Sequence, residues 1–158
     1  MTRSAIGLLV FLAICLFTAQ LGSMLTRPSI GSWYAALAKP AWTPPNWLFA
    51  PVWTTLYVLM AVAAWLVWKN HGLQAASAAM SLFGVQLALN VGWSALFFWL
   101  HRPGLAFAEI VLLWVLILLT ILAFWKLSVT AAWLMIPYLV WVAFAAALNF
   151  AIWRMNGF

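Results

Sequence analysis

Polar and charged residues are sparse along this chain and fall between long apolar runs. Five runs approach the length of a bilayer: about residues 5–25, 47–68, 74–100, 105–125 and 131–153. A membrane-spanning helix needs about 20 predominantly apolar residues. Inside hydrocarbon only helices and closed barrels satisfy their own backbone groups, and none of the short alternating segments of a barrel is visible. The pattern therefore predicts an all-α integral membrane protein, a single domain over residues 1–158 built as a five-transmembrane-helix bundle. The first run follows Arg3 and is too long for the h-region of a secretory signal. Ile14 also stands where a lipoprotein cleavage box, Leu12-Ala13-Ile14-Cys15, requires a small residue. It is read as a retained helix.

Three connections are tight: Lys69–Gly72, His101–Gly104 and Lys126–Ser128. Such turns predict antiparallel neighbours. The exception runs from Thr26 to Asn46, too long for a mere connector. It holds Trp33 and Trp42 with Pro28, Pro40, Pro44 and Pro45. Proline fixes φ and removes a donor, so a stiff aromatic lid over one mouth of the bundle is expected; the competing reading is a loop lying in the membrane interface.

Composition narrows the function. Hydrophobic residues make up 69% and charged residues 5%, against about 25% charged in a soluble domain, which excludes a cytosolic enzyme. The net charge of +6 comes from seven Lys/Arg spread singly at the ends of runs, not clustered as nucleic-acid binding requires. Arg3, Lys69 and Lys126 fall on one side, and Arg27, Lys39, Arg102 and Arg154 on the other. That distribution leans toward a cytoplasmic C-terminus.

Conventional chemistry has few players. The lone Cys15 forbids an internal disulfide and a cysteine metal site, and no metal-ligand cluster appears. There is no Asp, and the one acid is Glu109. No Ser-His-Asp set can form, and mid-membrane charges for ion coupling are missing. Glu109 is expected to snorkel or to pair with Arg102. His71 and His101 flank the third run and lie ~45 Å apart by helical rise, which excludes a bis-histidine haem. No obligatory cofactor is expected.

Tryptophan is the unusual entrant, with 13 residues. Trp65, Trp68, Trp99, Trp125, Trp133 and Trp153 lie near run ends and fit an interfacial belt. Six of the other seven gather in the lid, at the start of run two (Trp47, Trp53) and inside runs three and five (Trp93, Trp141). In run three, Ser77, Ser81, Gly84, Ala88, Gly92 and Ala95 share one stripe. Small residues at this spacing let backbones approach closely, within the bundle or in a homodimer. The opposite face carries Gln86, Asn90, Trp93 and Phe97. Amides in hydrocarbon need partners, so Gln86 and Asn90 either join helices or point into a cavity. Run five presents Tyr138, Trp141, Ala145, Asn149 and Ile152, and run two presents Trp53, Tyr57, Met60 and Ala64. Three such faces under a lid predict an apolar pocket with few polar anchors. Its π surfaces suit a large planar ligand.

These residues resemble the tryptophan-rich sensory protein/translocator protein family (TspO/MBR, also known as the peripheral-type benzodiazepine receptor). The resemblance is carried by Trp33-Tyr34-Ala35-Ala36-Leu37-Ala38-Lys39-Pro40 through Trp42-Thr43-Pro44-Pro45 to Pro51-Val52-Trp53-Thr54-Thr55-Leu56-Tyr57. Two further blocks follow: Gln86 to Trp93 with Phe97-Phe98, and Pro137-Tyr138-Leu139-Val140-Trp141 with Phe144-Ala145 and Leu148-Asn149. The resemblance implies a five-helix bundle, usually a homodimer, whose pocket opens under the first long loop. It also implies binding of porphyrins such as protoporphyrin IX, of sterols, and of isoquinoline or benzodiazepine-type compounds. By likeness Trp53 and Trp141 line the tetrapyrrole site, Gln86 and Asn90 give polar contacts, and Ala145 forms a close wall. The family's sterol motif needs a Tyr where this chain has Phe150, which weakens the case for sterol.

The ligand-binding candidates are thus Trp33, Tyr34, Trp42, Trp53, Tyr57, Gln86, Asn90, Tyr138, Trp141, Ala145 and Asn149. The helix-packing or dimer candidates are Ser81, Gly84, Ala88 and Gly92. The function expected is a membrane receptor or sensor for porphyrin-like ligands, whose propionates Lys39 and Arg27 are candidates to pair with, and tetrapyrrole transport is a further expectation. The rivals are light-dependent porphyrin degradation with Trp53 or Trp141 as the reacting indole, passive transport, and a lipid-embedded scaffold. A bacterial cell envelope is the expected location.

Overall fold

In lipid the helix is the state that leaves no backbone group unpaired, and five of the six helices are long and apolar enough to cross a membrane. The computed structural model describes residues 2–157. Helix α1 covers Arg3–Ile30, α3 Asn46–Ala75, α5 Pro103–Leu127 and α6 Val129–Asn156. Helix α4 covers Ser77–Ser94 and runs into a π-helical turn, Ala95–Trp99. The short α2, Trp33–Ala36, lies within the lid. No strand occurs among the described residues. The chain is an integral, multi-pass membrane protein.

Helix ends follow local chemistry. Thr2 and Ser128 cap α1 and α6, each side-chain oxygen accepting from the backbone N–H three residues on. Pro103 opens α5, where its missing N–H costs nothing. Gly72, with φ 75°, breaks the α-helical path near the end of α3. His71 donates from Nε2 to the Leu127 carbonyl at 2.8 Å, tying that turn to the end of α5.

Two expectations need correction. The long connection does not begin at Thr26: α1 continues through Pro28 to Ile30, so Arg27 is helical and the lid is residues 31–45. Pro28 has no N–H to give the carbonyl four residues back, a loss that membrane helices tolerate; at the end of the helix Ser32 Oγ donates to the Pro28 carbonyl at 3.0 Å. The tight turn after Lys69 also does not make α3 and α4 close neighbours. The helices close in the order α1–α3–α6–α5–α4, with α3 packed mainly on α1 and α6. Small residues permit this: Ala61, Ala63 and Ala64 of α3, like Ala131 and Ala132 of α6, are fully buried. Gly7 serves the α1–α3 contact, since a Cβ there would meet the Trp68 ring at 2.1 Å.

Hydrophobicity gives helices in lipid no reason to associate, so packing and interhelical hydrogen bonds must do it. A buried chain of such bonds crosses the bundle. Tyr57 of α3 donates to Asn90 Oδ1 of α4 at 2.7 Å. Asn90 Nδ2 donates to the Tyr138 hydroxyl of α6 at 2.8 Å, and Tyr138 donates to Gln86 Oε1 at 2.9 Å. Gln86 Nε2 faces the Met60 sulfur at 3.9 Å. Nearer the lid, Trp93 Nε1 donates to Asn149 Oδ1 at 3.0 Å, and Asn149 Nδ2 donates to the Pro103 carbonyl at 2.8 Å.

Glu109 does not pair with Arg102. Both carboxyl oxygens are buried without a partner among the described residues, and Oε1 lies 3.6 Å from where a Cβ on Gly92 would sit. Seven residues is about two turns along the helix, and Arg102 stands before α5 begins, exposed, as its N-cap. An unmade hydrogen bond at a buried group costs about 1–3 kcal/mol. Glu109→Leu is accordingly expected to raise the melting temperature in lipid nanodiscs. A fall would show that the carboxyl has a stabilising partner.

The small-residue stripe looks outward. Ser77, Ser81, Gly84 and Ala88 are exposed on the bundle surface, and a Cβ on Gly84 would meet nothing within 4 Å. These four positions face away from the bundle, whereas Gly92 and Ala95 of the same stripe are half-buried, Gly92 toward Glu109.

Candidate ligand-binding site

Beneath the lid lies a cavity of about 550 Å³. One wall is aromatic. It comprises Phe49, Trp53 and Tyr57 from α3, Trp141 from α6, and Trp93, Phe97 and Phe98 from the end of α4. Asn90, Ala145, Leu148, Asn149 and Ile152 complete its floor and sides, and Tyr34 closes it from the lid. Trp53 meets Tyr57 at 5.8 Å and the edge of Tyr138 at 6.2 Å. Trp141 sits 6.0 Å from Phe49 and 5.3 Å from Phe144. The Trp141 indole N–H is buried with no acceptor, an unusual state for a buried donor.

The π-helical turn shapes the α4 side. Leu100 N–H reaches back to the Ala95 carbonyl at 2.8 Å, five residues away. The widened turn lets the adjacent Phe97 and Phe98 both border the cavity. π-turns of this kind occur often at functional sites.

The lid is pinned at both ends. Trp33 stacks on His101 at 4.2 Å and 17° and meets the edge of Phe97 at 5.5 Å. His101, at φ 53°, reaches Ser29 Oγ through Nε2 at 3.2 Å. Ser29 spends its own proton on the Phe98 carbonyl at 2.5 Å, so the histidine nitrogen is the donor. At the other end Ala38 N–H donates to Asn156 Oδ1 at 3.0 Å, and Asn156 Nδ2 donates back to the Ala38 carbonyl at 2.9 Å. Lys39 Nζ donates to the carbonyls of Tyr34, Ala35 and Leu37 and lies 4.8 Å above the Tyr34 ring. Burial pushes the Tyr34 hydroxyl above its ordinary pKa, leaving it a neutral donor at the cavity.

Losing the paired amide contact at Asn156 removes two bonds worth about 0.5–1.5 kcal/mol each. Asn156→Ala is expected to speed hydrogen exchange of the Ala38 amide roughly 10-fold or more. Unchanged exchange would show that the lid holds without this clasp.

Among the residues expected at the ligand, the structure brings Tyr34, Trp53, Tyr57, Asn90, Trp141, Ala145 and Asn149 to one cavity. It places four elsewhere. Trp33 and Trp42 fasten the lid from above, Trp42 through the edge of Phe144 at 5.7 Å with half its surface exposed. Gln86 and Tyr138 lie off the cavity, consumed by the buried hydrogen-bond chain. The two amides of run three thus divide the alternatives: Gln86 joins helices, while Asn90 joins helices and borders the cavity. Lys39 is occupied as a cap, which leaves Arg27 as the cation at the cavity.

Sequence reading singled out Arg27 but missed the wall it belongs to. Leu16, Ala19, Gln20, Ser23, Thr26 and Ile30 of α1 line the cavity beside it. Their spacing of three and four is a helical face, and Gln20, Ser23, Thr26 and Arg27 are the signal that could have revealed it. No group of three or more His, Cys, Asp or Glu able to hold a metal occurs among the described residues.

The profile of the TspO/MBR family matches residues 10–154. The chain is similar to the "Tryptophan-rich protein TspO" of Chlorobaculum tepidum, 43% identical over 99% of both chains. It is similar to the "Translocator protein" of Sus scrofa, 43% identical over 85% of this chain and 83% of that one. It is also similar to the "Tryptophan-rich sensory protein" of Cereibacter sphaeroides, 38% identical over 94% of this chain and 90% of the other. A five-helix membrane bundle with a tryptophan-walled cavity under a proline-stiffened lid, matched over nearly its whole length, belongs to the TspO/MBR family.

Proposed function

We propose that this protein is a membrane receptor or sensor that binds protoporphyrin IX-like tetrapyrroles and similar flat hydrophobic molecules in the cavity under the lid. The carrying observation is the aromatic wall of Phe49, Trp53, Tyr57, Trp93, Phe97 and Trp141 around about 550 Å³. Ligand pockets run about 300–1,000 Å³ and are mostly apolar, with a few polar groups that fix orientation. Offset and edge contacts of a planar ring with such side chains add to the gain from burial. Asn90, Asn149 and Tyr34 supply the polar edge. No cofactor is required for binding.

Titrating the protein in nanodiscs with protoporphyrin IX tests this reading. Saturable quenching of tryptophan fluorescence is expected; a linear response set only by partition into lipid would refute it. A second reading, light-dependent breakdown of the bound tetrapyrrole, draws support from Trp53 touching both Tyr57 and Tyr138. Such a chain of aromatic rings is suited to pass an electron. Product formed in light and lost in Trp53→Phe, with binding retained, would favour the enzyme. Passive transport of the same ligand needs no further group and would show as flux in sealed vesicles without a gradient.

The outward stripe of Ser81, Gly84 and Ala88 supports pairing of two copies along α4, with Gly92 beside it. A lipid chain or sterol would lie instead along the outer groove of α5 and α6, where Phe107, Trp114 and Phe150 border about 370 Å³. A bacterial envelope membrane is the proposed location.

A further inference from the structure

The cavity has two unlike walls. Facing the aromatic side, α1 contributes Gln20, Ser23 and Arg27 on one helical face. Among the described residues none of these three side chains makes a hydrogen bond or an ion pair with the protein, and Ser94 Oγ, also at the cavity, is likewise unclaimed. Lys39, the cation of the lid itself, is held by three carbonyls, and neither Arg102 nor Arg154 borders the cavity. The one acid of the chain, Glu109, does not border the cavity. The α1 wall also has a direction. Leu16 stands at its deep end and Arg27 at the lid end, eleven residues and so ~16 Å apart.

Gln20 and Arg27 are exposed and Ser23 is half-buried, so their polar atoms are free to meet a ligand that enters the cavity. Here they are donors arranged on one side of a slot whose other side is aromatic, with a fixed positive charge at the mouth. We infer that the α1 wall is an acid-binding subsite. Arg27 anchors the carboxylate of an amphipathic planar ligand, with Gln20 and Ser23 below it, so that the acidic edge of the ligand faces α1 and the lid while its apolar face lies on Trp53 and Trp141. Guanidinium pairs bidentately with carboxylate, and charge-assisted bonds are roughly twice as strong as neutral ones. Arg27 is thereby a specificity determinant: it separates free acids from their esters, which share the ring surface but carry no charge. The inference rests on the proposed binding of tetrapyrroles and adds the side of the slot at which their charge sits.

The test compares protoporphyrin IX with its dimethyl ester on the full chain in phosphatidylcholine nanodiscs, read by tryptophan quenching. The native protein is expected to bind the diacid about 10-fold or more tightly than the ester, a difference of about 1.4 kcal/mol. Arg27→Gln is expected to bring the two affinities together by weakening the diacid alone, and Arg27→Lys to restore part of the preference. Equal loss for both ligands, or no change for either, would overturn the subsite and leave Arg27 as an interfacial anchor. Equal affinities in the native protein would overturn it too. If neither ligand saturates the native protein, the binding function itself fails, a result distinct from loss of the preference.

Discussion

Trp53→Ala is expected to weaken protoporphyrin IX binding about 30-fold or more, with the fold intact. Truncating a buried aromatic anchor in a recognition site costs about 2 kcal/mol or more, which corresponds to that factor. Trp53 borders the cavity and makes its ring contacts with Tyr57 and Tyr138. Among the described residues no hydrogen bond depends on its indole N–H, so its loss removes wall rather than framework. Quenching titrations of the variant read the affinity, and a melting curve confirms the fold. Affinity equal to that of the native chain would remove Trp53 from the ligand's surface and put the aromatic slot in doubt.

Tyr138→Phe is expected to act in the opposite way, on the framework first. The hydroxyl is fully buried, accepts from Asn90 and donates to Gln86. Removing it strands an amide N–H on one side and an amide oxygen on the other. Each unmade bond to a buried group costs about 1–3 kcal/mol in soluble proteins. Membrane proteins measure lower, averaging about 0.6 kcal/mol per interhelical bond. A loss of about 1–3 kcal/mol is therefore expected, seen as a lower melting temperature in nanodiscs. Asn90→Ala should then cost less in this background than in the native chain, because its bond to Tyr138 is already gone and only the one from Tyr57 remains to be lost. Full additivity of the two changes would show that the residues do not act as one chain.

The membrane pattern was legible because hydrocarbon imposes it. Every one of the five runs becomes a crossing helix, and the Trp/Pro segment lies over one end of the bundle. The inward faces of runs two and five were legible for the same reason that any amphipathic helix is: tyrosine and asparagine stand out against leucine. What escaped reading depended on which helices are neighbours. Gln20, Ser23 and Arg27 form a helical face as clear as any other, but nothing in α1 says that this face meets Trp53 and Trp141 across a gap. The tight turn at Lys69–Gly72 suggested that α3 and α4 pack side by side; the alanines of α3 favour α1 and α6 instead. The outward turn of Ser81, Gly84 and Ala88 was equally hidden, since small residues serve a partner inside or outside the chain alike. Capping roles were invisible too. Lys39 reads as a free charge until the carbonyls of Tyr34, Ala35 and Leu37 converge on it.

The widened turn at Ala95–Trp99 holds one residue more than an ordinary helical path would use. Everything after it is therefore set to a shifted phase, including the ring of His101 that meets Trp33. Deleting a single residue within 95–99 would let the helix relax to its regular pitch and swing that ring away by about 100°. The lid would lose one of its two fastenings although no fastening residue had been altered. The tolerance of this segment to substitution and its intolerance to a change in length are thus separable properties, and an insertion–deletion scan would tell them apart.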